Sequence, residues 1–483
     1  MKKILIIILL FSLQSRLHAQ FLDSLQVKAG TSASIASRDY LPLWLQANQF
    51  GTVADRKSDF TTHVSLYNSN RIGNKTTVYD TPGDDHALYL SYGLDAYNND
   101  HLQKTFFEQA FVKAKYRKLT LSMGRFEQII GEVDHDLSSG SLGVSSNARP
   151  IPQLNLSLDY TDIPFTNGWF QFKFMFTHGW MGNDQFLQHA FLHEDNLYVR
   201  FGKHKLKLYL GLQHYAVWGG ERAGYYDLDR SLKGFFQVIS GISANDGSTN
   251  GERLTNRPGD QRGVVEGGAE WENDNVKFQL NAQMPFDTGQ GLTYKNIDHL
   301  VSLNIYNKQP DAIFKKLVLE FIYTKQMNDF YSQQYRESYY NNGVYRTGWE
   351  FDDHIIGTPL FINRVRAQDY FPDVKPYNWS GSTAAIQPLS NIVSNRVVGG
   401  HVGTVLALTD QLSSKTMLTY TQNYGNYNVT YFDTYKKQFY SLEELSYRLK
   451  DSPLSIKASF AWDAGDLSQN FGSMIGIQWQ LRK

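Results

Sequence analysis

The stretch KLKLYLGLQHYAVW, residues 205–218, reads as a strand with two unlike faces. Leu206, Leu208, Leu210 and Leu212 occupy every second position, with Lys207, Tyr209, Gly211 and Gln213 between them. Successive side chains of a strand point to opposite sides, so one face is wholly apolar and the other polar. Upstream, Leu197, Val199 and Phe201 alternate with Tyr198 and Arg200, and the tight connection Gly202-Lys203-His204-Lys205 joins the two runs as a hairpin.

The unit recurs. Val265, Gly267, Ala269 and Trp271 precede the turn Asn273-Asp274-Asn275, and Val276, Phe278, Leu280, Ala282 and Met284 follow it. Leu454, Ile456, Ala458, Phe460 and Trp462 lead through a polar loop, Gly465 to Asn470, into Ile475, Ile477, Trp479 and Leu481. Leu88, Leu90, Tyr92, Leu94 and Ala96 make another one-sided strand, with further candidates at 106–116, 118–125, 299–306, 316–325, 399–409 and 415–423. Most are around ten residues, the length that crosses a bilayer when tilted, whereas strands of soluble sandwiches average about five or six. Trp218, Trp271, Trp462 and Trp479 sit near strand ends, where interfacial girdles place aromatics. The expected fold class is all-β: a transmembrane antiparallel outer-membrane β-barrel of about 16–18 strands, an even number that fits the chain length. Segments 126–155, 217–262, 326–400 and 424–440 are expected as the larger loops, and Leu41 to Phe50 and Leu442 to Leu449 as short helices.

The beginning of the chain agrees with export. Met1-Lys2-Lys3, an apolar run from Ile4, and Leu17-His18-Ala19 before Gln20 have the layout of a secretory signal peptide cleaved after Ala19, leaving 20–483 as one barrel domain. No cysteine is present for a lipid anchor, and none for disulfides, thiolate zinc sites or a cysteine nucleophile. Taking Lys2, Lys3 and Arg16 from 47 basic residues leaves 44 against 47 acidic ones. That balance argues against nucleic acid as a partner, because phosphate binding needs a concentrated cationic face. The Gly-x-Ser-x-Gly elbow, His-Glu-x-x-His and the Walker loop are missing, so no enzyme, cofactor or metal is expected.

Four loop motifs then carry a resemblance. They are LPLWLQANQFGTV at 41–53, GRFEQIIGEVDHDLSSGSLGVSSNARPIPQL at 124–154, GLQHYAVWGG at 211–220 and NNGVYRTGWEFDDHIIGTPLF at 341–361. In this order they resemble the capsule-assembly family Wzi, in the form found among Bacteroidetes, from about residue 25 to the C-terminus. The resemblance implies an outer-membrane barrel, eighteen-stranded, with a small helical element on the periplasmic side. It implies a lectin-like protein that binds capsular or exopolysaccharide and assists its assembly or attachment. Outer-membrane lipid, lipopolysaccharide and the barrel-assembly machinery are the further partners expected of such a barrel. Two departures stand out: the section before the first strand is short, and the chain ends Trp479-Gln480-Leu481-Arg482-Lys483 rather than on an aromatic.

Glycan is bound by aromatic faces against sugar C–H surfaces, with charged and amide groups on the hydroxyls. Trp218, Glu221 and Arg222 at one strand end, Tyr345, Arg346 and Trp349 in a second segment, and Trp379 in a third have that chemistry. Trp218 fits a girdle equally well, and the 342–361 segment, with Asp352, Asp353 and His354, fits either a surface loop or an interior latch. Arg125, Glu127, Asp134 and Asp136 read as charges of a loop folded into the lumen. Asp134-His135-Asp136 lacks a further ligand to make it a metal site. The alternative to a lectin is a porin or polysaccharide export channel, and a barrel hydrolase is a third reading.

Overall fold

The computed structural model describes residues 25–72, 87–241, 258–289, 291–329, 336–375, 377–381, 388, 390–427 and 432–482. The signal peptide and any element before the first strand lie outside them. Eighteen strands make one closed antiparallel sheet. The first nine are β1 Gln26–Ala36, β2 Ser58–Ile72, β3 Leu88–Asn99, β4 Lys104–Tyr116, β5 Leu119–Arg125, β6 Gln153–Asp162, β7 Phe170–Trp180, β8 Phe191–Phe201 and β9 Leu206–Trp218. They continue as β10 Asp260–Glu272, β11 Val276–Phe286, β12 His299–Asn307, β13 Phe314–Tyr323, β14 Val397–Ala407, β15 Leu412–Asn423, β16 Lys436–Arg448, β17 Leu454–Gly465 and β18 Asn470–Arg482. Closure comes from β1 against β18, in register from Gln26↔Arg482 to Ala36↔Gly472. A closed ring leaves no strand edge unpaired, as a bilayer demands.

The burial pattern inverts that of a soluble protein. Leu206, Leu208, Leu210 and Leu212 face outward, Leu210 at 64% exposure, while Tyr209, Gln213 and Tyr215 on the same strand are buried inside. Trp271 and Trp479 lie outward at the end with short turns, and Trp462 outward at the opposite end. Most connections at one end are short, among them 117–118, 202–205, 273–275 and 449–453, and the longest, 37–57, 126–152, 219–259 and 324–396, lie at the other. In outer-membrane barrels the short turns are periplasmic and the long loops extracellular.

Two sequence expectations change. Residues 442–448 belong to strand β16, not to a helix. The three-residue spacing of Leu442 and Leu445 imitates a helix, but pairing with both β15 and β17 consumes the backbone bonds. The helix expected over 41–50 shrinks to α1, Leu43–Gln46, and it lies in the first extracellular connection. Two further helices, α2 Leu232–Ser240 and α3 Arg364–Tyr370, also belong to the long-loop end.

Candidate functional site

The lumen is filled by the chain itself. Residues 137–151, LSSGSLGVSSNARPI, are buried throughout. Their composition explains how they enter. The hydroxyls of Ser138, Ser141 and Ser145 accept from the N–H groups of Gly140, Gly143 and Asn147, at 3.1, 3.2 and 3.1 Å, closing three successive local turns. Glycine allows close approach: a Cβ on Gly143 would run into the Tyr215 hydroxyl. The barrel wall supplies the remaining partners. Glu266 Oε1 accepts from Glu132 N (2.9 Å), Asn281 (2.8 Å) and Gln283 (3.1 Å), and its Oε2 from Gln213 (2.9 Å) and the Tyr198 hydroxyl. Glu320 accepts from the Ser139 N–H at 2.7 Å and its hydroxyl at 2.6 Å, and His401 Nε2 lies 2.6 Å from the Leu137 carbonyl. A buried segment of irregular backbone is tolerable only when its polar groups are met in this way.

A second stretch caps the first. The Trp349 indole N–H donates to Gly143 O at 2.8 Å, the Tyr340 hydroxyl to Leu142 O at 2.7 Å, and Ser145 N to Ile356 O at 2.8 Å. Trp349 of the 342–361 segment is thus turned inward and 0% exposed. The charges read from the 124–136 stretch have these partners. Lys316 Nζ lies 2.9 Å from both Asp134 and Asp136, toward the short-turn end. Arg125 donates to Pro150 O at 3.1 Å, and the Glu127 N–H donates to Gln109 at 3.3 Å.

The remaining residues singled out from sequence divide three ways. Arg222 and Arg346 stack on the Phe186 ring at 4.7 and 4.9 Å, and Trp379 meets the same ring edge-on. Arg222 also donates to the Trp379 and Phe186 carbonyls, and the Tyr345 hydroxyl donates to Gly219 O at 3.1 Å. These four side chains are buried and tie four extracellular segments together. Trp218 lies on the outer wall, buried against Phe235 of α2. Glu221 is 41% exposed and pairs with Arg230 at 3.1 Å.

The extracellular mouth holds a cavity of about 360 Å³ that sequence reasoning did not assemble. Asp55 and Arg56 come from the first loop, Lys104 from β4, Arg149 from the lumen segment, and Asp353 and His354 from the capping stretch. Arg149 pairs with Asp352 and lies 3.7 Å from the Phe106 ring centroid. Arg56 donates to Asp100 at 2.9 Å. Burial, and then the charge of Asp352, raises the pKa of Asp353. Burial also raises Asp55, although the Leu41 N–H opposes it at 2.6 Å. A pocket of this size, at the small end of the usual ~300–1,000 Å³ and lined by convergent charges and amides, suits a polar ligand bound through hydroxyl groups. Only the Asp352-Asp353-His354 run was visible beforehand, because the other contributors meet through the fold.

A family model described as capsule assembly protein Wzi matches residues 47–363. Among solved structures, one similar barrel is Wzi of Escherichia coli, described as an outer-membrane, carbohydrate-binding β-barrel involved in group 1 capsule assembly. It is 14% identical, with 97% of this chain and 87% of that one covered and a TM-score of 0.55. OpdL of Pseudomonas aeruginosa (7% identity, 95% and 98% covered, TM-score 0.47) and OccAB2 of Acinetobacter baumannii (12%, 96% and 99%, 0.46) are more distant. No curated protein matches by sequence.

Proposed function

This chain belongs to the capsule assembly protein Wzi family, and on that premise we propose that it is an outer-membrane lectin that binds surface polysaccharide and assists capsule or exopolysaccharide assembly or attachment. The observation that carries this reading is the filled lumen. Segment 137–151, latched by Trp349, Tyr340 and Ile356, occupies the space a pore would need. What the barrel offers to a polymer is then its extracellular mouth. The description of Escherichia coli Wzi as carbohydrate-binding supports the same assignment.

The mouth cavity is the proposed sugar contact, with Arg56, Lys104, Asp353 and His354 bonding hydroxyl or carboxylate groups. Glu221 would meet polymer at the rim, and Arg222, Tyr345, Arg346 and Trp379 would hold the rim loops in place. Trp218 and Trp349, facing the outer wall and the lumen, would support the site from behind. The activity is read as binding without catalysis, since the family is described by assembly. Residues 1–19 are read as a cleaved export signal and 20–483 as the barrel. Lipopolysaccharide and lipid would meet its outer face, and the barrel-assembly machinery would insert it.

Retention of the producer's own capsular polymer on the purified, detergent-solubilised barrel tests the proposal. Retention that weakens at least tenfold in Asp353→Ala and Arg56→Ala supports both function and site. Retention unchanged in those variants moves the site elsewhere, and no retention by the parent defeats the lectin reading. In planar bilayers the lectin should stay silent, whereas large, stable open steps would favour a porin or export channel.

A further inference from the structure

We propose that His193, Asp195 and His214 form a binding site for a divalent transition metal of the zinc class, set into the outer face of the barrel wall beneath helix α2. On β8 the outward side chains are Leu197, Val199 and Phe201, and Asp195 and His193 continue that same face. On β9 the outward series Leu206 to Leu212 continues into His214. The register sets Asp195 directly opposite His214, and His193 two positions nearer the rim. These three polar, ionisable groups, with His178 of β7 paired beside His193, thus interrupt an otherwise apolar surface, where charge is costly.

The chain does not leave them to lipid. After β9 it returns along the outer wall as α2, capped by Ser231, whose hydroxyl accepts from Gly234 at 3.2 Å, and ended by Gly241 with φ of 59°. Phe235 of α2 sits edge-on over His193, ring centroids 6.0 Å apart, and packs on Trp218 at 5.7 Å. Val238 joins Ala216 and Trp218 beside it. His193 is consequently closed off from solvent altogether.

The hydrogen bonds of the His193 ring are incomplete. His193 Nδ1 lies 3.0 Å from the Thr177 carbonyl, an acceptor, so Nδ1 carries the ring proton. Nε2 is then a lone pair, buried and without a hydrogen-bond partner among the described residues. It faces Asp195 Oδ2 at 3.7 Å. Two lone pairs facing each other are unfavourable unless a donor or a cation lies between them, and Asp195, with 32% of its side chain exposed, leaves that space open on one side. The other carboxylate oxygen, Oδ1, is 3.2 Å from His214 Nδ1, and one ligand atom from each of the three residues lies within 4.8 Å of the others.

Zinc bonds of about 2.0–2.2 Å at tetrahedral angles put neighbouring ligand atoms roughly 3.3–3.5 Å apart, between the two spacings seen here. A ligating imidazole usually donates its other N–H to a carbonyl, as His193 does to Thr177. Imidazole with carboxylate favours zinc, copper or nickel over calcium or magnesium, and three protein ligands leave a fourth position for water.

The test uses the full-length barrel in detergent with Co2+ as a spectroscopic probe and Zn2+ as competitor. One equivalent of Co2+ giving tetrahedral d–d bands, displaced by Zn2+, is expected. His193→Gln and His214→Gln should each weaken binding by at least about tenfold while the barrel keeps its heat-modifiable mobility. X-ray absorption at the zinc edge of the unaltered protein, showing two imidazole ligands, gives the same answer if a variant fails to fold. Absence of stoichiometric binding, or binding unaltered in both variants, overturns the proposal and leaves a second proton on His193 between the two groups. Slower hydrogen exchange in α2 on adding Zn2+ would further support it.

Discussion

Two long connections leave the same end of the barrel and finish on opposite sides of its wall. The one after β5, residues 126–152, turns into the lumen, while the one after β9 lays α2 along the outside. Their compositions differ in the way their destinations require. The inward segment is serine and glycine, small enough to pass Tyr215 and Gly403, with hydroxyls that close its own turns. The outward one is LKGFFQVIS: Phe235 and Val238 pack on the wall, and Leu232 and Phe236 face away from it, 77% and 65% exposed. In a membrane barrel the interior is the polar side, so a polar loop goes in and an amphipathic helix stays out.

The strongest way to break this contrast is to remove the lumen filling. With residues 131–146 and 340–358 both replaced by short Gly-Ser linkers, the barrel should change from electrically silent to stable open steps in planar bilayers. A variant as silent as its parent would mean that these stretches do not close it. Next in size is Trp349→Ala, which empties a fully buried site and loses the indole bond to Gly143. Loss of about 3–5 kcal/mol is expected locally, read as faster hydrogen exchange across 137–151. The outer helix should not respond, since Phe235 and Val238 pack on the opposite side of the wall, against Trp218 and Ala216.

A pH series sharpens the comparison further. Glu350 lies in the extracellular capping stretch, where burial, eased by Asn363 and Asn391 at 2.6 Å each, pushes its pKa up to about 8. A carboxyl that is easier to protonate when docked than when released stabilises the docked state at low pH. That contribution is complete below the ordinary carboxylate range and is lost as pH rises through about 8. Protection factors in 345–358, which divide out the base-catalysed intrinsic rate, should therefore be higher at pH 5 than at pH 9, and Glu350→Gln should flatten the difference. The smallest effect belongs to Arg230→Ala at the exposed pair with Glu221, where about 0–0.5 kcal/mol is expected and a thermal melt should scarcely move.

Much of the wall was legible in the residues. The alternation of Leu206 to Leu212 with Lys207 to Gln213 placed the lipid face correctly, and the loop motifs at 124–154 and 341–361 marked the segments that matter. The candidate glycan residues were less legible. Trp218, Trp349 and Trp379 have sugar-binding chemistry, yet each is buried against a partner more than ten residues away in sequence: Phe235, Gly143 and Phe186. The outer polar cluster had a trace in the sequence, since the apolar series on β8 breaks at Asp195 and His193 and that on β9 at His214.

Alternation is a property of one strand and needs no knowledge of its neighbours, so the sequence alone determined the all-β barrel and which side chains meet lipid. The strand total, the direction each loop folds and the side chains that meet in the mouth or beneath α2 depend on partners far along the chain. Glu266 and Gln283 can receive the 126–152 segment only after β10 and β11 stand side by side, and Asp195 can face His214 only after β8 and β9 pair in register. Those decisions belong to the tertiary structure, because buried polar groups choose their places by the hydrogen bonds that the closed wall makes available.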